Sequence, residues 1–270
     1  MKNEPKTSQL IKVEIKDNEI KKNEIEKNDI KKYEIDKNDI KKNEIIKDEI
    51  RKMILGLGAD VCGIADMERF DGAPKGFHPG DIYKECRSVI VAGIALPRGI
   101  MEVEPRLIYG HFNYQAAVHV DTVTFRAAKE IEKCYGKIAV PIPADSPYEY
   151  WDQERMEGKG LISMKHAAVA AGLGTLGKSS LFLNKKYGTL LTLGAIFTNM
   201  ELEADALSDP VCIEGCSLCI KNCPVQALNG TTAVQKKCRM NSYGITDRGF
   251  DTVDCNKCRK VCPRCYGISK

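Results

Sequence analysis

Nine cysteines lie between residues 212 and 265, and seven of them fall in two runs that each end in Cys-Pro. The first run reads Cys212-x3-Cys216-x2-Cys219-x3-Cys223-Pro224. The second reads Cys255-x2-Cys258-x3-Cys262-Pro263, and Cys238 stands alone between the two. With Cys238 the runs supply eight thiolates, enough for two [4Fe–4S] clusters held by four cysteines each. In runs of this type the Cys before Pro ligates the other cluster. The spacing therefore predicts one site from Cys212, Cys216 and Cys219 with Cys262, and a second from Cys223, Cys238, Cys255 and Cys258. Such centres carry electrons singly.

The spacing has a geometric reason. Two-residue gaps let successive sulfurs converge on one small cube, and a proline after the last ligand fixes φ and helps the chain leave. The first gap is one residue longer than usual, so Cys212 must reach in through a bulge around Glu214-Gly215, and Gly215 can take the positive φ that this requires. Structural zinc is the competing assignment, since C-x2-C pairs also build four-cysteine zinc sites. Zinc does not account for the x3-Cys-Pro ending, which occurs twice, or for Cys238. Disulfides are not expected, because the chain opens without a signal-peptide pattern and a reducing compartment keeps thiols free. Cys265 competes with Cys262 as the last ligand. Cys62, Cys86 and Cys134 are isolated and are expected to be small buried hydrophobes.

The elements that must position these sulfurs follow from patterning. The chain has 270 residues and a formal net charge of +4, spread evenly along its length. No basic stripe signals nucleic acid, no apolar run reaches a membrane span, and a cytoplasmic protein is expected. Ile15, Ile20, Ile25, Ile30, Ile35, Ile40 and Ile45 recur at a five-residue period that matches neither a helix stripe nor a strand face. Residues 1–45 are thus a charged low-complexity tail, disordered or a solvated helix. Ile46, Ile50, Met53, Ile54 and Leu57 share one helical face. Asp60 to Ala65, Ser88 to Leu96, Ile138 to Ile142 and Leu190 to Phe197 read as strands. Tyr114 to Tyr135 and Leu161 to Ala171 read as helices. A mixed α/β region over 46–205 and a cluster domain over 206–270 result. The connection between Pro143 and Gly160 carries Tyr148, Tyr150, Trp151, Asp152, Glu154 and Arg155. Loops of that length are more often functional than not, with Trp151 as a hydrophobic anchor if this one is ordinary surface.

Gly172-Leu173-Gly174-Thr175-Leu176-Gly177-Lys178-Ser179 satisfies both the dinucleotide and the phosphate-loop patterns. Both require a strand before and a helix after. Here an Ala-rich helical stretch precedes, and too few residues for a supporting helix follow before Tyr187-Gly188. Nucleotide binding is therefore not the primary reading. The glycines are expected to let backbone pass close to another element or to a cofactor, which makes Gly172, Gly174, Gly177 and Lys178 cofactor-binding candidates.

The stretch from Ala171 to Ser179, with Tyr187-Gly188, Leu193-Gly194 and Phe197-Thr198 after it, resembles the core signature of the epoxyqueuosine reductase family. The two Cys-Pro runs and Gly58-Ala59-Asp60 with Gly63-Ile64-Ala65 fit the same family, in the same order, over roughly residues 50–265. The resemblance implies an α+β protein with a nitroreductase-like region joined to a ferredoxin-like double-cluster domain. It also implies a corrinoid next to one cluster, an organic small-molecule substrate and a ferredoxin or flavodoxin as electron donor, with reductive dehalogenases related in the same way. Counting back from Ala171 to the family's acidic proton donor reaches Gly158, with Glu157 adjacent. The chain runs only a few residues past Cys262, so a short form without the family's tRNA-gripping extension is expected, and the even charge argues against a tRNA substrate.

Candidate proton donors are Glu157, Asp152 and His166, with Glu154 and Tyr150 near them in sequence. Arg155, Lys165 or His166 can hold an anionic group. The expected function is an iron–sulfur oxidoreductase acting on an organic substrate. The alternatives are an electron-transfer partner with no substrate of its own and, third, a P-loop ATPase with accessory clusters.

Overall fold

The computed structural model describes residues 43–145, 148–242 and 255–268. The pentad segment up to residue 42 lies outside the described residues. The chain divides into Met1–Asp48 and Glu49–Lys270. The first unit contributes only helical residues 43–48 to the description, and the second holds everything below.

In the second unit helix α1 covers residues 49–56, and Ile50 and Ile54, one turn apart, are fully buried. Strand β1 (Val61–Asp66) follows, then a 3-10 turn, the short helix α2 (Pro79–Ile82) and strand β2 (Ser88–Ala95). Helix α3 (Gly99–Glu102) leads into the 30-residue helix α4 (Arg106–Tyr135), which ends at Gly136 in the left-handed region. Next come β3 (Ala139–Ile142), β4 (Tyr150–Asp152), β5 (Glu157–Lys159), α5 (Met164–Ala170), β6 (Thr175–Leu176), β7 (Phe182–Leu183) and β8 (Leu191–Thr198). The cysteine-rich part carries α6 (Leu218–Lys221), α7 (Gln235–Ser242) and α8 (Lys257–Lys260). Among the described residues no helix is long and apolar enough to cross a membrane.

The main sheet has order β1-β2-β8-β3 and is antiparallel throughout. The chain is thus an α+β protein. Antiparallel sheets commonly alternate apolar and polar residues. Strands β2 and β8 are apolar almost without interruption because both their faces are covered. Val89, Val91, Leu193, Ala195 and Phe197 pack on one face with Ala167, Ala168 and Ala171 of the α5 segment. On the other face Gly194 lies against Val120 and Thr124 of α4. Pro141 sits in β3, an edge strand, where its missing N–H interrupts no ladder.

Four expectations need correction. Helix α4 starts at Arg106 rather than Tyr114, with Pro105 as its N-cap residue. Helix α5 is shorter than expected and starts at Met164, after Ser163 in an extended conformation. The long connection after Pro143 contains the β4–β5 hairpin, with Asp152 opposite Glu157. Cys62 and Cys86 are buried as expected, but Cys134 lies exposed on the surface of α4.

Candidate metal centre

The chain from Val211 to Cys219 curls around one cavity. The Val211 N–H donates to Thr175 Oγ1 at 3.0 Å, and the Cys216 N–H closes a turn on the Ile213 carbonyl. Gly215 takes φ of +71° inside the lengthened gap. The cavity is lined by Cys212, Cys216, Cys219 and Cys262, with Lys178 and Arg264 beside them. These four thiols are the predicted first set.

The residues expected to form the second set are carried by two helices and a turn. Cys238 lies on α7, Cys258 lies on α8, and the Cys223 sulfur accepts from the Ala227 N–H at 3.3 Å. The Cys255 N–H donates to Ser242 Oγ at 3.4 Å. The thiols influence one another within each set. Burial pushes Cys258 up to about 11, Arg259 opposes this, and Cys255, Cys238 and Cys223 add to it. Burial raises Cys238, and Cys255 and Cys223 again add. In the first set burial raises Cys219, with Cys212 and Cys216 adding. Cys262 is raised by burial, then by Cys265, Cys212 and Cys219. Metal binding at either set must therefore release protons. Among the described residues, no three His, Cys, Asp or Glu side chains form a group suited to a single ion.

Cys265 is placed elsewhere. It is buried with Leu96, Met101, Tyr109 and Leu190, and it accepts from Thr189 Oγ1 at 3.7 Å.

The glycine-rich segment serves packing. A Cβ at Gly172 would fall 2.1 Å from the Ala206 carbonyl oxygen, and one at Gly174 would fall 2.1 Å from that of Leu183. At Gly177 it would meet Leu183 Cδ1 at 2.2 Å. Helix α5 precedes the segment, and the β6–β7 hairpin takes the place of a following helix. Both structural requirements of a phosphate loop therefore fail. Lys178 instead donates from Nζ to the Cys216 carbonyl at 3.0 Å, inside the first thiol set.

The β4–β5 hairpin is held against α7. Gln235 pairs through its amide with the backbone N–H and carbonyl of Gly158, at 3.1 and 3.4 Å. Lys236 Nζ donates to the Glu154 carbonyl at 2.9 Å. Arg239 lies over the rings of both Tyr148 and Trp151, 5.2 Å from each centroid, and donates to Tyr148 Oη. Trp151 is 46% exposed and stacks on Tyr148, so it is a stacking surface rather than the hydrophobic anchor of an ordinary surface loop. The hairpin thus brings Asp152 and Glu157 to the helix that carries Cys238. Asp152 accepts from the Arg155 N–H at 2.9 Å and pairs with the Arg155 guanidinium at 3.8 Å.

His166 stands apart from that pair, on α5, with Nδ1 2.7 Å from Ser163 Oγ. Burial and then the Lys165 charge hold its pKa below the ordinary histidine value, so it is neutral at pH 7 and does not serve as a cation there. Lys165 is engaged by the carbonyl and hydroxyl of Ser180, at 2.7 and 3.1 Å. Gln235, Arg239 and Arg264 were not legible as site residues. A polar residue beside a cysteine in sequence carries no signal of its own.

No family model matches the chain. The chain is similar to epoxyqueuosine reductases. The reductase of Lactococcus garvieae is 29% identical over 200 residues, 69% of this chain and 54% of its own length. The chain therefore spans about half of that relative. The solved epoxyqueuosine reductase of Streptococcus thermophilus has a TM-score of 0.58 at 22% identity, covering 83% of this chain and 67% of its own. An epoxyqueuosine reductase solved with an epoxyqueuosine-modified tRNA stem loop gives 0.55 at 18% identity, covering 84% and 67%. At these identities the solved structures establish the shared fold.

Proposed function

We propose that the chain is an iron–sulfur oxidoreductase of the epoxyqueuosine reductase type, delivering electrons singly to an organic substrate. The observation that carries this reading is one cavity lined by Cys212, Cys216, Cys219 and Cys262, with Cys238 on the helix that holds the hairpin of carboxylates. The donor sets suit [4Fe–4S] clusters, since they are all thiol, and soft thiolates select such centres. A buried guanidinium nitrogen without a partner, on a residue lining the first set, fits the same assignment.

In this reading Cys212, Cys216, Cys219 and Cys262 hold one cluster, and Cys223, Cys238, Cys255 and Cys258 hold the other. Clusters of this kind supply one-electron carriers whose potential is set by charge, hydrogen bonding and exposure. The rest falls to the chain. Residues 46–205 form the nitroreductase-like substrate region, and 206–270 form the ferredoxin-like cluster domain. Gly172, Gly174 and Gly177 bring backbone close enough for Lys178 to reach the first site. The clamp of Gln235, Lys236 and Arg239 holds the hairpin so that Asp152 or Glu157 can pass a proton from its carboxyl to the reduced substrate. His166, neutral at pH 7, would have to take up a proton before it could donate one. A ferredoxin or flavodoxin supplies the electrons.

The resemblance also implies a corrinoid. The cavity beside Arg98, Tyr187 and Tyr266 measures about 290 Å³, at the lower edge of the range for drug-sized ligands, roughly 300–1,000 Å³. This cavity is too small to enclose a corrinoid, and no proposed step is routed through one. A relative's modified tRNA is one candidate substrate class, and the even charge of this chain favours a smaller molecule.

Two cysteine variants test the assignment. Anaerobic protein reduced with dithionite should show two cluster signals by electron paramagnetic resonance. Cys219→Ala should remove one and Cys258→Ala the other. Loss of both signals, or of the same signal, in the two variants contradicts the two-set assignment. Stoichiometric zinc without acid-labile sulfide contradicts the cluster itself.

A further inference from the structure

Arg264 follows Cys262-Pro263 and lines the cavity of the first thiol set. Its Nε is the single buried side-chain nitrogen or oxygen among the described residues that has no hydrogen-bond partner. Buried polar groups in native proteins are almost always paired, so an orphan marks a missing partner. The backbone that carries this arginine is fixed. The Cys265 N–H donates to the Cys262 carbonyl at 2.9 Å, and the Gly267 N–H donates to the Arg264 carbonyl at 3.1 Å. Gly188 packs directly beneath, where a Cβ would stand 2.1 Å from Arg264 O. The other cation at this cavity, Lys178, already donates to the Cys216 carbonyl.

We infer that Arg264 donates from Nε to the anionic iron–sulfur centre held by Cys212, Cys216, Cys219 and Cys262, and so raises its reduction potential above that of the same centre without the arginine. The inference rests on reading this thiol set as a cluster site. A cubane with four thiolates is negatively charged, and one electron entering without a proton adds one more negative charge. A fixed charged donor within hydrogen-bond reach therefore favours the reduced form over the oxidised one. Arginine suits the task because it stays protonated throughout.

The test is a dithionite redox titration of the anaerobic holoprotein, followed by electron paramagnetic resonance, in wild type, Arg264→Gln and Arg264→Lys. In Arg264→Gln one cluster should become at least about tenfold harder to reduce, a fall of ~59 mV for one electron. The other cluster should keep its potential. Arg264→Lys, which retains the charge, should shift by less than half as much. If Arg264→Gln fails to hold the first cluster while Arg264→Lys holds it, the same contact is supported by assembly rather than potential. Equal shifts of both clusters, no shift in Arg264→Gln, or loss of the cluster in both variants overturns the role given to Arg264. Wild-type protein without acid-labile sulfide ends the cluster reading itself. Two normal clusters in wild type with unmoved potentials in Arg264→Gln end only this inference.

Discussion

Gly188→Ala is the substitution through which the fold should damage the centre most directly. Gly188 has φ of +58°, and an added Cβ would stand 2.1 Å from the Arg264 carbonyl oxygen and 2.2 Å from that of Cys265. The left-handed conformation costs a non-glycine residue about 1–2 kcal/mol. Overpacking against fixed backbone adds about 1–3 kcal/mol. The opposing atoms are backbone carbonyls held by the Thr189 N–H to Cys265 O bond at 3.1 Å, so they cannot swing aside as a flexible side chain would. The expected loss is roughly 2–5 kcal/mol, a large part of the ~5–15 kcal/mol that stabilises a typical domain. For a unit of this size that corresponds to a fall in melting midpoint of roughly 5–15 °C. Because the strain falls on the segment just past Cys262, the variant should also retain less iron at the first site than at the second. The assay is anaerobic thermal unfolding with iron analysis. Gly99→Ala serves as control, since its Cβ would meet nothing within 4 Å, and a change within about 0.5 kcal/mol is expected there. A Gly188→Ala protein that melts within about 2 °C of wild type and holds full iron would refute the packing argument.

Trp151 is the only tryptophan in the chain, so its emission reports the hairpin clamp directly. Arg239→Ala removes contacts to two rings, each worth about 0.5–1 kcal/mol at an exposed site. It should red-shift the emission and increase acrylamide quenching while leaving iron content unchanged, and an unaltered spectrum would contradict the clamp. His166 supplies a pH test. Burial and Lys165 lower its folded-state pKa, so the unfolded state binds the proton more readily. Its contribution to stability is complete above the unfolded value of 6.5 and is lost as pH falls through the window below it. His166→Gln should flatten the acid-side decline relative to wild type below about pH 6.5. Parallel stability curves for the two proteins would contradict that assignment.

The central sheet was readable because β1, β2 and β8 are short apolar runs bounded by turns, and the proline in β3 agrees with an edge position. The first turns of α4 were not readable. Leu107 and Phe112 there are 65% and 48% exposed, so no one-sided apolar stripe marks the start. The β4–β5 hairpin was missed because its strands have three residues each and exposed side chains throughout β4. The cysteine spacing suggested which sulfurs could converge, and Cys212, Cys216, Cys219 and Cys262 line one cavity. The phosphate-loop likeness of Gly172 to Ser179 was also resolvable from sequence, because the neighbouring elements were of the wrong type. What the spacing could not show was the lining. Lys178 and Arg264 reach the first site through tertiary packing, and Arg239 reaches Trp151 from a separate element.

Iron and acid-labile sulfide per chain, measured on protein isolated without oxygen, test the central claim most directly. The account predicts about eight of each, four per thiol set. Protein that holds zinc and no sulfide, or no metal after anaerobic iron and sulfide loading, would contradict it.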